Sequence, residues 1–306
     1  MSTATQNQQA PNSSSLGPMV ARHPVVAFLI MVYAFGWSTL IAADSVGLPF
    51  LLVSSLGVVF GLALPAFLVT AATSGKAGMR DLLGRCLRWR VGIGWYLLAL
   101  LGLPLATLLV ANVFIGTAPL EALAQKWPLF FTMFLPSIFI PLVITHLFEE
   151  TGWTGFMQDT LQDRRGPLLA SILVAPAFAL FHLPLIFLEA PRITLALVPV
   201  ALFQIAVQAI ASIFFRVAIM WFYNGTGRSV LIVALFHSSF NSVTGSEYAT
   251  RFIKEIIPGS AAVPIGLAVV AVVAVLITVF TRGRLAYEPK HAARPAPKPP
   301  TVEPAA

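Results

Sequence analysis

The sequence predicts an all-α, polytopic membrane protein: about eight transmembrane helices around a polar intramembrane cavity. Three observations carry that prediction. Hydrophobic residues make up 58 % of the 306-residue chain and charged residues only 10 %, the mean hydropathy is +0.85, and apolar stretches of 18 or more residues recur between short basic loops. Each stretch is long enough for a helix to cross roughly 30 Å of hydrocarbon, where the backbone has to satisfy its own hydrogen bonds. The net charge of +7 is strung between those stretches and along the C-terminal end, a placement that serves membrane topology and excludes a nucleic-acid partner. Cys86 is the single cysteine, so an internal disulfide is impossible.

Taken in order, the first 20 residues are polar and lack the basic start and apolar core of a cleavable signal, so 1–21 reads as a disordered cytoplasmic tail. Helices are expected over about 24–43, 50–73, 92–115, 128–163, 167–188, 194–222, 229–243 and 260–281, which makes 22–281 one membrane domain. The fourth stretch is too long for one straight span. A continuous helix from Pro128 to Asp163 would extend about 52 Å, and Pro136 and Pro141 lie within it, so it must bend, tilt or begin at the interface. Residues 282–306, rich in Pro, Ala and Lys, read as a second disordered cytoplasmic tail. With both tails in the cytoplasm, fourteen Lys and Arg fall on that side against Lys126, Arg192, Arg251 and Lys254 on the other, with Arg216 inside the sixth helix. That asymmetry is what the positive-inside rule demands of a multi-pass protein of the cell membrane.

Ionisable groups inside membrane segments are costly enough to be functional candidates by default. Glu149 and Glu150 sit side by side late in the fourth stretch, and His182 and His237 lie in the fifth and seventh. Glu149 is 14 residues before Asp163 and His182 is 15 after Pro167, so an antiparallel hairpin sets them at matching depth, about 21 to 23 Å along the helices. His237, nine residues past Arg228, starts shallower at about 14 Å, and Asn241 lies one turn deeper on the same face. These four groups are expected to converge in a cavity opening to the cytoplasm. A carboxylate, two imidazoles and a carboxamide supply what hydrolysis of a buried peptide bond needs: a base for water and donors for the developing oxyanion. Glu, His and His are also a zinc donor set, with His182 and His237 as ligands, although no HExxH arrangement is present. A cofactor-free site is the leading expectation and zinc the minority one. Singly, each group has a bland alternative in a wet crevice or a backbone hydrogen bond. His146, one turn before Glu149, reads as a packing residue first and a support of the site second, and Arg216 either snorkels or, as the lesser reading, pairs with a carboxylate such as Glu150.

Glu149-Glu150 with Thr151 to Phe156, then Phe178-x-x-x-His182, then His237-x-x-x-Asn241, resembles the three-motif signature of the CPBP family of intramembrane proteases, also called the CAAX protease and bacteriocin-processing, or Abi, family. The likeness extends to Arg22-His23-Pro24 and to the basic loop Gly84 to Arg90 with Gly94-Trp95-Tyr96, covering roughly 22–245. The resemblance implies that Glu149 activates the attacking water with help from His182, that His237 and Asn241 hold the oxyanion, and that Glu150 and Phe178 support the site. It implies a peptide or membrane-protein substrate, a prenylated CAAX tail among the candidates, met in the lipid bilayer. One position departs from the pattern: the first motif usually ends in Arg where this chain has Thr154. A hydroxyl cannot neutralise a carboxylate. Either Glu150 stays protonated, or another residue substitutes, or the chemistry is altered, and the last case favours a non-catalytic membrane scaffold of the same fold. A transporter is a weaker alternative, since neither inverted repeats nor paired broken helices are present.

Overall fold

The computed structural model describes residues 16–188, 190, 194–245 and 247–289. The expectations about most of both tails, and the cations Arg192, Lys290, Arg294 and Lys298, lie outside the described residues. Among the described residues the chain is all-α. Seven helices are long and apolar enough to span a membrane: α1 Pro24–Ser45, α2 Phe50–Cys86, α3 Ile93–Ile115, α4 Phe130–Arg165, α5 Pro167–Leu188, α6 Leu197–Gly225 and, last in the chain, α8 Ala262–Phe280. The eighth expected helix, α7 Val230–Thr244, is apolar but shorter, about 22 Å long. It lies in the middle of the bundle, with Val230, Ile232, Val233 and Ala234 fully buried. Length is therefore a poor guide to its place: a helix sheathed by others need not reach both bilayer surfaces. Amphipathic helices Ala118–Gln125 and Glu247–Ile256 cover the end of the bundle opposite the tails, joined by a Lys126–Glu255 ion pair of 2.7 Å.

The helices approach closely where side chains are smallest. A Cβ placed on Gly61 of α2 would lie 2.5 Å from the Gly36 Cα of α1, and one on Gly152 of α4 would lie 2.9 Å from Leu62. Without a hydrophobic drive between helices in lipid, such backbone-to-backbone packing is what holds a bundle together. Substituting alanine at either glycine would push α1 or α4 off α2. Gly152 matters most, because it seats the segment that carries the glutamate pair.

The bend expected in α4 takes a specific form. The helix widens into π turns at Phe130–Phe134, Leu142–His146 and Thr151–Gln158, the second directly after Pro141, which cannot donate a backbone hydrogen bond. Only Leu147–Glu150 between the last two is α-helical. π turns concentrate at functional positions, and here they flank the glutamates on both sides.

The start of the segment expected to be a C-terminal tail is held against the bundle. Leu285 is fully buried and its carbonyl accepts a 3.0 Å hydrogen bond from Asn224, while the Tyr287 hydroxyl donates to Asp163 at 2.8 Å. Burial and that bond push Tyr287 up to about 12. Leu16–Arg22, within and just after the expected N-terminal tail, is helical. Composition marks both ends as polar; it does not register a single leucine finding a socket.

Candidate active site

The expected residues do meet, and each is positioned by a local irregularity of its helix. α5 pauses at His182. The His182 N–H reaches back only three residues, to the Ala179 carbonyl at 3.0 Å, which leaves the Phe178 carbonyl to accept from the ring Nδ1 at 2.8 Å. A carbonyl only accepts, so Nδ1 carries the proton and Nε2 is free to face the cavity. The Nε2 atom lies 4.0 Å from Glu149 Oε1. Glu149 is buried, and its Oε1 has no hydrogen-bond partner.

Glu150 points the other way, about 100° round the helix. It is fully buried between three partners: His237 Nδ1 at 2.7 Å, the Arg216 guanidinium at 2.8 and 3.2 Å, and the Thr154 hydroxyl. Arg216 is itself fully buried, donates to Thr154 at 3.3 Å and lies 4.2 Å over the Phe178 ring. Of the three outcomes open for the Thr154 departure, the structure shows substitution by another residue. The cation that the motif usually carries on α4 here arrives from α6, and Thr154 fills the reduced space with a hydroxyl that bonds the same carboxylate. An isolated arginine in an apolar helix was the available signal, and its pairing with Glu150, the lesser of the two readings from sequence, is the one found.

His146 takes the supporting role that ranked second to packing. Its ring stacks on His237 with centroids 4.3 Å apart, its Nδ1 bonds Ser238 at 2.7 Å, and its Nε2 receives the Asn241 carboxamide at 2.9 Å. His146 thus fixes the orientation of Asn241, leaving one Asn241 N–H for another acceptor. His237 is held on its other side by Phe215, 4.9 Å away edge to face. Because the Glu150 carboxylate accepts from Nδ1, the neutral His237 ring presents a lone pair at Nε2, and it donates there only when doubly protonated, with Glu150 as its counter-charge.

The group that could hold a metal ion is therefore not the expected pair. It is His146, Glu149 and His237, with one ligand atom of each within 4.8 Å of the others. Two of these fit zinc as imidazoles and one as a carboxylate, but the His146 Nε2 lone pair is already taken by Asn241, so a metal would have to displace that bond. The donor set suits a metal less well than it suits a hydrogen-bonded site.

These groups sit at the deep end of a cavity of about 770 Å³. Its walls come from Phe50, Leu51 and Ser54 of α2, Leu185 and Ile186 of α5, Phe203 to Phe215 of α6, and Thr244 with Gly245. Phe50, Leu51 and Ser54, Leu185 and Ile186, and Phe203 to Val207 lie in the half of the bundle away from the tails, and exposed Phe50 and Phe203 mark the mouth there, not on the tail side as expected. The depth estimate already contained the reason: some 21 Å from the tail side is more than halfway across a 30 Å core.

At the tail end the Arg216, Glu150 and Trp153 side chains are fully buried, and beyond them lies a second charged cluster. Arg85 bonds Asp159 at 3.1 Å, Tyr223 at 2.7 Å and the Gly155 carbonyl at 2.7 Å, and Arg228 bonds the same Asp159. Burial opposes the charge of Arg228, but Tyr223 and Asp159 beside it raise it above its ordinary value. Sequence reasoning counted these arginines only as topology signals.

A family model described as type II CAAX prenyl endopeptidase Rce1-like matches residues 126–243, the stretch that holds His146, Glu149, Glu150, His182, Arg216, His237 and Asn241. Over that stretch the chain is similar to the CAAX protease family. Over 60 residues the chain is 43 % identical to CAAX prenyl protease 2 of Methanococcus maripaludis. The matched stretch covers 20 % of this chain and 22 % of that relative's length.

Proposed function

We propose that this chain is an intramembrane endopeptidase in which Glu149 and His182 activate water without a metal. The observation that carries the reading is the unpartnered Glu149 Oε1 facing the free His182 Nε2 across 4.0 Å. Two acceptors at that separation suit one water molecule that donates a hydrogen to each, turning its oxygen lone pairs toward the cavity. Glu149 takes a proton as the water oxygen bonds the scissile carbonyl carbon. The oxyanion accepts from the Asn241 N–H and from doubly protonated His237. Collapse breaks the C–N bond, and the proton passes from Glu149 to the leaving amine. Thr154 was the ground for a non-catalytic scaffold, and Arg216 removes it. Substrates are peptides or membrane-protein segments, with the prenylated C-terminal tail named by the relative as the first to test.

A quenched fluorescent peptide ending in a farnesylated Cys-Val-Ile-Met tail is the direct assay. Glu149→Gln keeps the shape and removes the base, so cleavage should fall by about 10² to 10⁴ with unfolding temperature unchanged. Equal cleavage by Glu149→Gln would overturn the assignment. Activity that survives exhaustive chelation supports the metal-free route; loss restored by zinc alone would move His146 and His237 to ligation.

We also infer that both tails are cytoplasmic, from the fourteen-to-four charge asymmetry. In a Cys86→Ser background, an impermeant thiol reagent applied to intact cells should label Gln204→Cys at the mouth and spare Ser14→Cys. The reverse pattern would invert the orientation.

A further inference from the structure

One wall of the cavity differs from the rest. α6 presents two parallel ribbons to it, each stepping by four residues: an apolar one of Phe203, Val207, Ala211 and Phe215, and a polar one of Gln204, Gln208 and Ser212. The polar ribbon descends from exposed Gln204 through half-buried Gln208 to buried Ser212, and its neighbour Phe215 ends against His237. Neither glutamine carboxamide bonds any group of the described residues, unlike those of Gln158 and Gln162, which do. Across the cavity, Ser54 Oγ is buried and also without a partner. Two glutamines facing a cavity inside a 29-residue apolar span cost folding energy that an apolar wall would have spared.

The chemistry of the ribbon indicates what would recoup that cost. A carboxamide offers one acceptor and two donors, the complement of a peptide group. Four residues of α-helix rise about 6 Å, and an extended chain returns to the same side every two residues, about 6.6 Å. An extended peptide laid along α6 therefore meets Gln204, Gln208 and Ser212 at successive backbone groups of one edge, drifting by little more than 1 Å over the whole ribbon. The side chains of that peptide fall alternately on the Phe203, Val207 and Ala211 ribbon and on the apolar wall of α2 and α5.

We propose that the Gln204, Gln208 and Ser212 ribbon is a main-chain subsite that holds an extended peptide substrate and feeds its scissile bond to Glu149. The proposal rests on the reading of the site as a peptidase. It makes selection along this stretch depend on backbone amides and apolar bulk, with little regard for side-chain identity. It also excludes helical segments as bound ligands, since their amides are already used within the helix.

The test separates binding from cleavage by using Glu149→Gln protein in detergent micelles and the farnesylated Cys-Val-Ile-Met peptide, with its binding read by fluorescence anisotropy. Gln208→Met, close in shape but without hydrogen-bonding groups, should weaken binding about three- to tenfold, and the Gln204→Met, Gln208→Met pair should weaken it further. In the active enzyme the same changes should raise KM and leave kcat within about twofold. Peptides in which single backbone amides are replaced by esters identify the contact: one replacement should weaken binding to the parent protein and have no further effect on Gln208→Met. Circular dichroism melts screen out unfolded variants, and Gln208→Asn, which keeps the carboxamide, should restore part of the affinity. Cleavage by the active enzyme with binding indifferent to every one of these changes would overturn the subsite and spare the peptidase reading. Binding that depends on Gln208 in a protein that never cleaves would do the opposite, and a protein that neither binds nor cleaves would sink both.

Discussion

The two ends of the bundle handle polar groups in opposite ways. At the tail end every charge brought inside is matched: Asp159 meets Arg85 and Arg228, Glu150 meets Arg216 and His237, and Tyr287 reaches Asp163. At the mouth end Glu149 Oε1 and Ser54 Oγ are buried without partners, and two glutamines face open space. Matched charges in a low-dielectric interior fix geometry, and unmatched ones wait for a ligand. The lesson is that burial of a polar group does not by itself mark a working residue. A missing partner at the cavity wall is the stronger sign, since Trp153 Nε1, Gln162 Oε1 and Arg228 Nε are also buried without partners but do not line the cavity. Glu149 and Glu150 are adjacent in sequence and alike in chemistry, yet one belongs to each regime.

This contrast can be broken most forcefully at Arg216, which serves the tail-end lock and abuts the site. Arg216→Met should strand a buried carboxylate, lowering stability by about 3 to 5 kcal/mol and impairing cleavage as well. Thr154→Arg alone should also destabilise, by crowding a second guanidinium against Glu150 where Thr154 is fully buried. The double change moves the cation back to α4 and should be more stable than either single variant, as a thermal-melt cycle would show. Additive losses would mean that Arg216 and Thr154 do not share a task. Next in size, Asn241→Ala should reduce kcat about 10² to 10³, and His146→Phe, which keeps a ring against His237 but releases Asn241 and Ser238, about 10- to 100-fold. Asp159→Asn should do the converse: a loss of about 2 to 4 kcal/mol in chemical denaturation, with kcat per folded molecule intact. Smallest of all, Tyr287→Phe should cost about 0.5 to 1.5 kcal/mol and nothing in catalysis. A tail-end substitution that lowered kcat in folded protein would erase the division.

Sequence periodicity located all eight helices because hydropathy over 20 residues is a strong signal that packing seldom overrules. It paired Glu149 with His182 correctly because both depths could be counted from one tight turn at Gly166. It named a supporting role for His146 and a pairing of Arg216 with Glu150 but ranked both below the blander readings, and it expected the cavity to open on the other side. The π turns at Leu142–His146 and Thr151–Gln158 shift the angular phase of α4, so regular helical spacing could not rank a supporting role for His146 above packing. The pairing of Arg216 depends on how α6 lies against α4, a long-range fact with no local signature. The direction of opening depends on which half of each helix carries small or polar side chains toward the centre, and no span shows that alone.

Under the proposed peptidase reading, the matched charges close the cavity's deep end, so water, substrate and both fragments would share the mouth between Phe50 and Phe203. Their exits then differ by solubility. A polar fragment returns to water, whereas a fragment carrying a long hydrocarbon group partitions into the leaflet beside α6 and stays near the protein. If the substrate carries such a group, each turnover would enrich the surrounding lipid in a competitor, and the measured rate would depend on how much bilayer accompanies each protein molecule. Inhibition by such a product would be read in moles per mole of lipid and not in moles per litre.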